Sequence, residues 1–69
     1  MNLERAKLSA LTILVAAGDR GTMATDVSSV TCLGIGYAVA SGWATYRGGN
    51  IYIITPAGHT ALKGLKQNI

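Results

Sequence analysis

The stretch Gly42-Trp43-Ala44-Thr45-Tyr46-Arg47-Gly48-Gly49-Asn50-Ile51-Tyr52-Ile53-Ile54-Thr55-Pro56-Ala57-Gly58-His59-Thr60-Ala61-Leu62 holds the densest run of structural signals in the chain. Residues 43–47 and 50–54 are rich in β-branched and aromatic side chains, and Gly48-Gly49 between them can take the positive φ angles that a two-residue hairpin turn demands. A turn there sets Arg47 opposite Asn50 and Tyr46 opposite Ile51. Strand alternation then places Trp43, Thr45, Arg47, Asn50, Tyr52 and Ile54 on one face and Ala44, Tyr46, Ile51 and Ile53 on the other. At Thr55-Pro56 the hydroxyl can cap the first free amides of a helix, and proline suits its first position because it has no amide to leave unpaired. A helix is therefore expected from Pro56 to about Gln67.

This segment resembles the C-terminal part of winged helix-turn-helix domains. In these a recognition helix ends at a Gly-hydrophobic pair, a hairpin wing follows, and a Tyr-x-hydrophobic-Thr-Pro-x-Gly run opens the next helix. The matching residues are Gly42-Trp43-Ala44, Tyr52-Ile53-Ile54-Thr55-Pro56-Ala57-Gly58 and Leu62. The resemblance implies a mainly α fold with a small β-hairpin, in which a three-helix core, a wing and a C-terminal helix form one domain over residues 1–69. It assigns Trp43, Tyr52 and Ile54 to the core. Tyr46, Ile51 and Ile53 are then left as an apolar patch on the wing's outer face, a candidate partner interface.

Upstream, Leu3, Leu8, Leu11, Leu14, Val15 and Gly18 return to one face of a 3.6-residue period, which predicts a first helix over 3–18. Gly18-Asp19-Arg20-Gly21 supplies its stop. Arg5 and Lys7 ahead of an apolar run ending in Ala16-Ala17-Gly18 also have something of a secretory leader, but Glu4 and the periodicity favour a helix of the fold. Thr22 can cap a second helix over 22–30, with Met23, Val27 and Val30 on one face and Asp26 near the positive end of its dipole. A third helix is expected over 32–41. The predicted core is Leu8, Leu11, Leu14, Val27, Leu33, Trp43, Tyr52, Ile54 and Leu62.

The third helix departs from the family pattern. The interval from Val27 to Gly42 is shorter than the usual helix-turn-helix spacing, and it contains Gly34 and Gly36. It has no Arg, Lys, Asn or Gln, the side chains that read base edges bidentately. Residues 27–46 are also 20 residues without a formal charge, about the length of a membrane-spanning helix, with Gly34, Ala38 and Gly42 at small-xxx-small spacing. The polar Ser28, Ser29, Thr31, Ser41 and Thr45, and the overlap with the hairpin, argue against a span, and no membrane partner is expected.

A chain of 69 residues allows one domain with a small core. With 49% of residues hydrophobic, 13% charged and a mean hydropathy of +0.34, there is more apolar surface than that core takes up. A homodimer is expected, formed through the first or last helix or through Tyr46, Ile51 and Ile53. The single Cys32 makes no internal disulfide, so a reducing cytoplasm is the simplest home. Net charge +3 and a pI near 9.4 favour phosphate backbones or anionic surfaces.

Glu4, Asp19, Asp26 and His59 are not spaced as a carboxylate pair, a nucleophile–base pair or a metal cluster, so neither an enzyme nor a cofactor is expected. Cys32 beside Leu33 reads as a small buried hydrophobe. Two functions remain. In one, a dimeric regulator binds duplex DNA: Arg47 and Asn50 at the wing tip meet phosphate or the minor groove while Thr31, Tyr37 and Ser41 approach the major groove, and phosphate contacts dominate. In the other, the uncharged third helix or the wing pairs the module with itself or with another protein.

Overall fold

The computed structural model describes residues 3–67, so the outermost positions of the expected domain, 1, 2, 68 and 69, lie outside the described residues. Three helices carry the fold: α1 (Leu3–Ala17), α2 (Ser29–Ala40) and α3 (Pro56–Gln67). Three short strands, β1 (Thr22–Met23), β2 (Ala44–Gly48) and β3 (Ile51–Ile54), form an antiparallel sheet in the order β1-β3-β2. Single 3-10 turns at Gly18–Arg20 and Ala24–Asp26 flank β1. The expected mainly α architecture with a hairpin is present, and β1 adds a strand to it.

The core is built where α1 and α2 approach closely. Ala6 and Ala10 of α1 are fully buried, and a Cβ added to Gly34 of α2 would land on the backbone carbonyl of Ala6. Glycine at that position lets the two helix backbones come together, so Thr31, Gly34, Ile35 and Ala38 become the inward stripe of α2 at i, i+3, i+4 and i+7. Ala10, Leu14, Ile35, Ala38 and Ala44 form the buried cluster, with Val27, Trp43, Tyr52 and Ile54 packed around it half-buried. Leu11, Leu14 and Leu62 are buried as predicted, while Leu8 is half-buried. Leu33 is not core: it is 38% exposed on the side of α2 away from Gly34.

The helix predicted over 22–30 does not form. Thr22 pairs with Tyr52 and Met23 with Ile51, and the Ala24 amide donates to the Asn50 carbonyl at 2.9 Å. Sheet pairing to β3 thus satisfies backbone groups that an isolated two-turn helix would have left at its ends. Val27 is extended, and the cap that matters is Ser28, whose Oγ accepts from the Thr31 amide at 3.2 Å. The helix predicted over 32–41 accordingly starts three residues earlier, at Ser29.

The hairpin forms one residue out of its predicted register. Gly49 (φ 59°) and Asn50 (φ 64°) are the turn residues, both left-handed as a type I′ turn requires, and asparagine tolerates that region better than most side chains. Tyr46 therefore pairs with Tyr52 and Gly48 with Ile51, leaving Arg47 unpaired in a bulge. A one-residue slip moves a strand's side chains to the opposite face. Ala44 now joins Ile54 on the core side, and Tyr46 joins Tyr52, with ring centroids 5.1 Å apart. Thr55 locks the next corner: its Oγ accepts from the Gly58 amide at 3.1 Å, starting α3, and donates to the Gly42 carbonyl at 2.8 Å.

Candidate interaction surfaces

With its inward stripe fixed by Gly34, α2 turns Ser29, Cys32, Leu33, Gly36, Tyr37, Val39 and Ala40 outward. None of these is charged. Leu33, Tyr37 and Val39 are 37–39% exposed, with Leu33 near the middle of the outward side and Tyr37 and Val39 on its two flanks. Beside them an open groove of about 600 Å³ runs between the 24–26 turn and α2, lined by Ala24, Val27, Ser29, Cys32, Leu33 and Gly36. A Cβ added to Gly36 would meet no atom within 4 Å. A glycine in mid-helix costs about 1 kcal/mol relative to alanine, and at Gly36 no contact within the chain requires one.

The groups predicted to approach a DNA major groove are dispersed. Thr31 is only 3% exposed, and its hydroxyl lies 2.8 Å from Ser9 Oγ and 3.1 Å from Ser28 Oγ, so it ties α2 to α1 rather than facing outward. Tyr37 is exposed, with Lys7 Nζ 5.7 Å from its ring centroid, a cation–π arrangement that also places Lys7 3.8 Å from Glu4. Ser41 is the exposed C-cap residue of α2. Of the three, Tyr37 and Ser41 share an accessible side; Thr31 does not.

On the hairpin, Arg47 is exposed, and its Nη1 donates to the Asp19 carbonyl at 3.2 Å. The bulge re-aims this side chain from the hairpin toward the turn after α1, where Arg20 is also exposed. Asn50 is exposed at the tip, its amide donating to the Tyr46 hydroxyl at 3.3 Å. The predicted outer patch of Tyr46, Ile51 and Ile53 is split by the register shift. Tyr46, 56% exposed, stands on the Tyr52 face; Ile51 and Ile53 are on the other, half-buried against the backbone of Gly21.

Cys32, expected to be buried, is exposed. Among the described residues no three His, Cys, Asp or Glu side chains gather where they could hold a metal ion, and no helix is long and apolar enough to cross a membrane. The uncharged run 27–46 is not one helix, because α2 ends at Ala40 and β2 begins at Ala44. No family model, curated protein or solved structure matches the chain.

The uncharged third helix was named as a pairing element, but its orientation was misread: Leu33 and Cys32 face outward and Thr31 inward. Its signal was present as an apolar excess around the whole helix, but periodicity alone does not choose an inward side when every side is apolar.

Proposed function

We propose that the chain is a winged-helix-type module that works by protein association, with the outer face of α2 as its contact surface. The helix–hairpin–helix order, the Gly42-Trp43 joint and the Thr55-capped α3 support the winged-helix reading. In that reading β1 and a 3-10 turn stand where a second helix was expected. One observation carries the function: the helix that would read DNA presents Cys32, Leu33, Gly36, Tyr37, Val39 and Ala40 outward and no base-reading cation or amide. Such a surface gains free energy by leaving water for another apolar surface, and to a phosphate or a base edge it offers only the hydroxyls of Ser29 and Tyr37.

Arg47 favours a second reading, in which the module holds duplex DNA by its backbone. It is exposed, braced by the Asp19 carbonyl and followed along the chain's surface by Arg20 in the adjoining turn. Two such cations per protomer would give weak binding that falls steeply with salt, and Arg47→Ala would weaken it about equally for every duplex. The deciding experiment is an electrophoretic shift with random duplex DNA at low and moderate salt, paired with solution mass. Association without a duplex shift is the expected result. A sequence-selective shift lost in Tyr37→Ala or Ser41→Ala would overturn the proposal.

A further inference from the structure

We draw no further inference here: the strongest candidate, the open groove of about 590 Å³ between α1 and the start of α2, lined by Arg5, Ser9, Thr12 and Ser28, carries nothing, because its hydroxyls already bond Thr31 and the Leu8 carbonyl and nothing beyond the helix N-terminus points to a ligand.

Discussion

Gly34 and Gly36 are two residues apart on one helix, and replacement by alanine should move stability in opposite directions. Each substitution removes the helix penalty of glycine, about 1 kcal/mol. At Gly36 the added methyl meets nothing within 4 Å, so the monomer should gain about 0.5–1 kcal/mol. At Gly34 the methyl meets the carbonyl of Ala6 and lies 2.8 Å from Ala10 Cβ. Ala6 presents backbone there, which cannot rotate aside, so α1 and α2 must separate and loosen the contacts of Ala10, Leu14 and Ile35. Overpacking typically costs about 1–3 kcal/mol, and a backbone clash belongs at the upper end, which leaves a net loss of about 2 kcal/mol after the propensity gain. A chain this size has a total stability of roughly 3–10 kcal/mol, so the loss is large. Urea unfolding followed by circular dichroism, at a few micromolar protein to keep association out of the measurement, should show it. With a slope near 1 kcal/mol/M, the midpoint falls by about 2 M for Gly34→Ala and rises by about 0.5–1 M for Gly36→Ala. If Gly34→Ala were as stable as Gly36→Ala, the close α1–α2 approach at Ala6 would be wrong, and with it the reason for calling Gly36 outward.

Thr55→Ala removes both the α3 cap and the bond to the Gly42 carbonyl, and should cost about 1–2 kcal/mol, read as a fall of several degrees in Tm. Thr22→Val should raise Tm, because the buried Thr22 Oγ1 has no hydrogen-bond partner and its removal relieves a desolvation cost of about 1 kcal/mol; a lower Tm would mean that the hydroxyl is satisfied after all.

The parts of the fold that were legible in the sequence are those set by local chemistry. Thr55-Pro56 marks a helix start whatever surrounds it, and the leucine spacing marks α1 as a helix, although its fully buried residues are Ala6, Ala10, Leu11 and Leu14 while Leu3 is exposed. The misread parts were decided by tertiary contacts. Thr22-Met23 looks like a helix start, yet pairing with Ile51 and Tyr52 makes it a strand. The turn expected at Gly48-Gly49 forms at Gly49-Asn50, and that single residue determines whether Tyr46 shares a face with Ile51 and Ile53 or with Tyr52. The inward side of α2 was hidden for a related reason. Thr31 and Leu33 exchange inside and outside according to where Gly34 points, and that is fixed by Ala6 of a different helix. Arg47 lies on the hairpin as expected, but it is unpaired rather than opposite Asn50, and its bracing by Asp19 depends on the bulge.

The close α1–α2 approach also limits what the core can supply. Small residues at the contact, Ala6, Ala10 and Gly34, bring backbones together but bury little side-chain area, and among the described residues the large side chains that are fully buried are Leu11, Leu14 and Ile35. At about 25 cal/mol per Å² such a core stabilises the monomer only modestly. Leu33, Tyr37 and Val39 remain as apolar area outside it; the proposed association through α2 would therefore add stability, and mass action would then couple Tm to concentration. Where the expected homodimer predominates, each tenfold rise in protein adds about 0.7 kcal/mol per protomer, which for a domain of this length is about 3–6 °C in Tm. Thermal melts from about 10 to about 500 µM should climb accordingly for wild type and stay level for Leu33→Asp, in which the face no longer associates. A wild-type Tm independent of concentration over that range would show that the outer face of α2 contributes nothing to the folded state beyond the single chain.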